Sequence, residues 1–244
     1  MNHEMPLYIP ILFCLTTLLT IYIFFKASRS KTFLIWIALW IVIQSVLSIK
    51  EFYTVTDTVP PRFFLLVLPA FIFITGLFFT VSGKRFLNGL DPAMLTVLHI
   101  VRIPVEIGLY ALFLQNAVPG LMTFEGSNPD ILSGLTAPFI YYFGYRRAQV
   151  KPVIKLIWNI ACLLLLVNIV VRAVLSLPLP FQVLAQDQPA VALLYFPYIL
   201  LPCCIVPLVL LSHLACIRGI LRDMKEGRND MMERKKIIVS NFGI

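Results

Sequence analysis

Seven runs of apolar residues, at about 6–25, 33–50, 63–82, 93–115, 130–145, 153–176 and 191–216, set the form of this chain. A helix rises about 1.5 Å per residue and a bilayer's hydrocarbon is about 30 Å thick, so a crossing needs roughly 20 apolar residues. With 59% hydrophobic and 13% charged residues among 244, a water-soluble globule is excluded. The expectation is an all-α, polytopic bundle of seven transmembrane helices over residues 1–217, followed by a basic tail at 218–244. The fifth run is the weakest. It is short, but it opens on Asn128-Pro129-Asp130, a helix cap, a first-turn proline and an acid at the positive end of the helix dipole.

The connections predict orientation. Sixteen of the twenty Lys and Arg residues fall in alternate loops and the tail: Lys26, Arg29 and Lys31; Lys84 and Arg85; Arg146, Arg147, Lys151 and Lys155; and Arg218 onward. The opposite connections hold only Lys50 and Arg62. Basic loops stay in the cytoplasm, so the N-terminus is expected outside and the C-terminus inside a plasma or inner membrane. The first residues, Met1 to Met5, include an acid and no Lys or Arg, so no cleavable signal peptide is expected. A net charge of +8 distributed this way reads as topology and lipid headgroup contact, with membrane lipids as partners and no nucleic acid.

Residues 116–129 and 177–190 are long, mixed connections on the outer side. They are expected either to fold back over the helix ends as a lid or to be ordinary interfacial loops. Ser133, Gly134, Thr136 and Ala137 make a small-residue run suited to close helix approach. Pro197, Pro202 and Pro207 predict a kinked seventh helix. The five cysteines have no disulfide or CxxC spacing and read as small hydrophobes, with Cys203-Cys204 a remote soft-metal or redox candidate. Helices 1–3 and 5–7 share no repeated motif.

The chemistry concentrates in His99-Ile-Val-Arg102-Ile-Pro-Val-Glu106, inside the fourth run. At 100° per residue His99, Arg102, Glu106 and Tyr110 lie within about 80° of one another. Ionisable groups are costly in lipid, so this stripe faces the interior. The sixth run adds Asn168 and Arg172, and the second adds Gln44, Ser48 and Glu51, each set on one face. The expectation is an outward-facing polar pocket between helices two, four and six. Arg102, Glu106, Arg172, Asn168, Gln44 and Tyr110 would bind the ligand, Arg172 would be the partner of Glu106, and Glu125 or Asp130 would cap the site.

Two arginines against one embedded acid suggest a small anionic or anionic-headed ligand, held by a transporter or sensor. An Arg–Glu pair that only fixes packing is the plainer alternative. A membrane-embedded enzyme acting on a lipid or isoprenoid, with His99 and Glu106 as acid and base, is a further one. No HExxH, GxSxG or phosphate loop supports an enzyme, and whether the chain is one stays open. His99 and His213 could flank a haem, and a quinone is a related possibility, but two histidines are a weak motif and no cofactor is assigned. The seventh run has no lysine for a retinal Schiff base.

Overall fold

The structure is a computed structural model that describes the backbone of residues 5–242 and the side chains of residues 5–228. Expectations about residues 1–4, the last two residues and the side chains of the distal tail, including Arg234, Lys235 and Lys236, lie outside the described residues. Every regular element among the described residues is helical.

Helices α1 (Tyr8–Ser28) and α2 (Lys31–Ile49) form a hairpin closed by left-handed Arg29 and by Ser30, whose hydroxyl accepts the Phe33 N–H at 3.2 Å. Helix α3 (Phe64–Phe79) ends at extended Thr80. Its hydroxyl donates to the Gly76 carbonyl and accepts from the Gly83 N–H, and α4 (Val81–Asn88) leaves at 89°. Gly83 makes this bend possible, because a Cβ there would stand 2.4 Å from the Leu77 carbonyl oxygen. With Leu87 buried beneath it and Ser82, Lys84 and Arg85 outward, α4 is an amphipathic surface helix.

Asp91 caps α5 (Pro92–Leu98), its carboxylate accepting the N–H groups of Ala93 and Met94. A 3-10 turn at His99–Val101 joins α5 to α6 (Arg102–Leu114), and the three make one apolar span of 23 residues. Helix α7 (Ile131–Tyr141) runs into a π-turn at Tyr142–Arg146. Helix α8 (Pro152–Leu175) is a continuous 24-residue helix, and α9 (Val206–Phe242) follows a π-turn at Leu201–Ile205.

Among the described residues, five helical stretches are each long and apolar enough to cross a membrane: Tyr8–Ser28, Lys31–Ile49, Pro92–Leu114, Pro152–Leu175 and Leu201–Arg228. The bent α3–α4 pair makes a sixth if counted as one span. The stretch expected at 130–145 is helical over Ile131–Arg146 yet shorter than these. The run expected to begin its helix at 191 instead makes a short 3-10 turn at Val191–Leu194, and the long helix starts at Leu201. Pro197 and Pro202, which lack amide protons, lie in that delayed entry.

On helix α2 the burial pattern is inverted relative to a soluble protein. On α2 the buried residues are Gln44 and Ser48, while Ile35, Trp36, Leu39, Val42 and Val46 point outward. Polar atoms inside and aliphatic side chains outside suit an apolar solvent, as in a multi-pass membrane protein.

The two mixed connections do fold back. The Ala192 N–H donates to the Ala117 carbonyl at 3.0 Å and the Gln188 amide to the Val118 carbonyl at 2.6 Å, joining them into one cap. Val118, Met122, Leu177, Leu193 and Leu194 are buried beneath it. Their side chains join the cap to the hydrophobic core of the helices.

Candidate functional site

Arg102 is the largest of the fully buried side chains, and its surroundings define the site. It opens α6 directly after the 3-10 turn, and its guanidinium lies among Asp130 at the start of α7, Cys162 of α8 and His213 of α9. One terminal nitrogen lies 2.9 Å from an Asp130 carboxylate oxygen, a close charge contact that lacks hydrogen-bond alignment. Both terminal nitrogens donate to the Cys162 carbonyl at 3.2 Å, and one also meets His213 Nε2 at 3.4 Å. Its Nε has no partner.

Arginine is donor-only, so His213 Nε2 must accept and Nδ1 must carry the proton. That proton is directed at the Asn159 side-chain oxygen, 3.1 Å away, and the Asn159 amide donates to the Lys155 carbonyl. His99 stacks face to face on His213, with centroids 3.8 Å apart and planes 13° apart. Both His99 ring nitrogens are buried without hydrogen-bond partners. A stack this close leaves no room for a macrocycle between the rings, so the pair does not fit axial ligation of a haem. Among the described residues no three His, Cys, Asp or Glu side chains cluster as a metal site.

Glu106, one turn beyond Arg102, is fully buried. One carboxylate oxygen accepts the Asn128 amide at 2.7 Å, and the other has no partner. The Asn128 amide also donates to the Met122 carbonyl, while its side-chain oxygen accepts the Asp130 N–H. Asn128-Pro129-Asp130 therefore does two jobs. It opens α7 through an Asx-type turn, and it delivers the partners of both Glu106 and Arg102 into the bundle.

The stripe of His99, Arg102 and Glu106 on one inward face agrees with the helical spacing, but its partners differ from expectation. Arg172 does not meet Glu106. It lies half-buried at the margin and donates to Asn168 on its own helix at 2.9 Å, and Asn168 reaches the Ser127 carbonyl. Gln44 accepts the Tyr53 hydroxyl near the cap, and Ser48 donates to the Leu194 carbonyl, away from Arg102. Tyr110 packs on Phe124 of the cap with centroids 5.0 Å apart, and Glu125 is exposed beside it. The second acid of the site is Asp130, named only as a possible cap, and the partner of Glu106 is Asn128. No periodicity relates residues on separate helices, so neither pairing could be computed from spacing; the N-P-D signature was their only trace.

A cleft of about 70 Å³ leads to these groups. Val67 and Phe71 of α3 and Leu166 and Val170 of α8 flank it, and Arg102, Glu106 and Asp130 are the ionisable side chains in its lining. His99 and Arg172 do not line it. A second cavity of about 230 Å³, between α2, α3 and α9, is bordered by Trp36, Trp40, Phe73 and both Cys203 and Cys204. There Pro207 has no N–H for the Cys203 carbonyl, and the Trp40 indole donates to it at 3.0 Å. All five cysteines are free thiols. No protein-family model, curated protein or solved structure matches the chain.

Proposed function

We propose that this is a seven-span integral membrane protein of a plasma or inner membrane that binds an amphipathic, lipid-like molecule in the cleft between α3 and α8. The N-terminus and cap face outward and the basic loops and tail face the cytoplasm. The ligand's apolar body lies along the aliphatic walls, and its head reaches Arg102, Glu106 and Asp130. Transport or sensing would follow from movement of the cap or of the π-turn at the start of α9.

The observation that carries this reading is an apolar cleft lined by three buried ionisable residues, Arg102, Glu106 and Asp130, each of which has a side-chain polar atom without a hydrogen-bond partner. Buried polar groups in proteins are nearly always satisfied, so unsatisfied ones lining a cavity favour a ligand over packing alone. An anion clamped jointly by Arg102 and Arg172 is less favoured, because the two side chains are apart and Arg102 already faces Asp130. An enzyme with His99 and Glu106 as acid and base also gains little, since His99 is outside the cleft.

The test is lipidomic mass spectrometry of the purified protein beside Ala173→Trp, which fills the wall of the cleft. A co-purifying amphiphile lost in the variant supports the proposal. Identical, generic lipid profiles for both proteins would sink it.

A further inference from the structure

Resting on that reading, we infer that the head group taken by the cleft is neutral and both donates and accepts hydrogen bonds, as the hydroxyl of a long-chain or isoprenoid alcohol does.

The charges that line the cleft are already arranged against an anion. Among the described residues Arg102 is the one cation lining the cleft, and its terminal nitrogens are spent on Asp130, the Cys162 carbonyl and His213. Two carboxyl groups, Glu106 and Asp130, line the same space, so a carboxylate or phosphate head would meet two like-charged groups around one committed cation. Removing such charges from water strengthens their repulsion. A cationic amine meets the opposite difficulty, because it would stand beside the Arg102 guanidinium and could accept nothing from it.

What remains open is a matched pair of opposite kinds. Arg102 Nε is a donor without an acceptor, and one Glu106 oxygen is without a partner on the next turn of the same helix face. Arg102 is 2% exposed and Glu106 0%, so water outside the protein does not satisfy either. A hydroxyl oxygen can accept from Arg102 Nε–H while its proton goes to the Glu106 carboxylate. The cavity of about 70 Å³ suits a small head with its first few carbons, the rest of the chain leaving between α3 and α8.

The experiment offers the full-length protein, in a maltoside detergent at neutral pH, an equimolar mixture of geranylgeraniol, geranylgeranoic acid, geranylgeranyl phosphate and geranylgeranylamine. Native mass spectrometry counts the adducts. The alcohol adduct should exceed each of the others by about tenfold. In Glu106→Gln, which removes one negative charge and keeps the shape, the acid should rise to within a few-fold of the alcohol. In Ala173→Trp all adducts should fall together. Preference for the acid, the phosphate or the amine overturns the head-group assignment and leaves the cleft reading standing. Absence of every adduct, or adducts unaffected by Ala173→Trp, overturns the cleft as well.

Discussion

Asp130 and Arg102 are buried together, and removing either should be far worse than removing both. Their side chains are 5% and 2% exposed and 2.9 Å apart. At an effective dielectric near 20 the mutual attraction is about 6 kcal/mol, against a desolvation cost of several kcal/mol for each ion. The net worth of the pair relative to apolar residues is therefore near zero. Arg102→Met alone leaves Asp130 buried without its cation and takes one hydrogen bond from His213, and Asp130→Leu alone leaves the guanidinium with only a carbonyl and an imidazole. Each single change should cost about 3–5 kcal/mol, and the double variant should lie within about 2 kcal/mol of the parent. The Cys162 carbonyl sits inside α8 and tolerates the loss of Arg102, since its helical partner remains. Equilibrium unfolding in mixed micelles with rising SDS, followed by tryptophan fluorescence, measures all four corners of the cycle. Additive single changes, or a single variant within about 1 kcal/mol of the parent, would refute the view that the two charges exist for each other.

Other outcomes follow from local geometry. Gly134→Ala should lower stability by about 1–3 kcal/mol, because its Cβ would meet Ile103 Cγ1 at 2.8 Å and, less yielding, the Ile103 nitrogen and His99 carbonyl at 3.1 and 3.3 Å. Gly219→Ala, with nothing within 4 Å, should instead gain up to about 1 kcal/mol from helix propensity in the same assay. Trp40→Phe should cost about 1 kcal/mol by stranding the Cys203 carbonyl, and adding Pro207→Ala, which restores an N–H, should recover part of it. Burial pushes the Tyr53 phenol up to about 12, with the Cys203 thiol a smaller contribution. Its folded-state value lies above the unfolded one, near 10, so its contribution is present in full below pH 10 and is lost as pH rises through about 12. An ultraviolet titration should accordingly lose one late-ionising phenolate in Tyr53→Phe. Unchanged absorbance over that window would count against the burial argument.

Periodicity carried the fold a long way because lipid imposes a simple code. Within a helix, 100° per residue predicted that His99, Arg102 and Glu106 share the buried face, and they do. The small-residue run on α7 was legible for the same reason: Ser133, Gly134 and Ala137 are buried, and a Cβ on Gly134 would collide with α6. Relations between helices carry no such code. Rotation about the α8 axis turns Arg172 to the margin, and Tyr53, in a 3-10 turn no periodicity flagged, takes Gln44 out of the site. The expected surplus of positive charge failed on the same ground. Arg172 lay outside the set and Asp130, counted with a loop, lay inside it.

Asn128 and Asp130 also tie the site to the cap. The connection from Ala117 through Asp130 is hydrogen-bonded at its start to the 177–200 connection, and at its end it supplies the groups that face Glu106 and Arg102. One connection thus both joins the cap and supplies the partners of the buried charges. A ligand head that competes with Asn128 for Glu106 weakens a bond of the cap itself, and the Met122 carbonyl, which shares the Asn128 amide, is loosened with it. A head that takes only the vacant Glu106 oxygen and Arg102 Nε leaves those bonds intact. On the proposed reading, a head confined to Glu106 and Arg102 would leave the cap closed, and one that reached past Glu106 to Asn128 would loosen it.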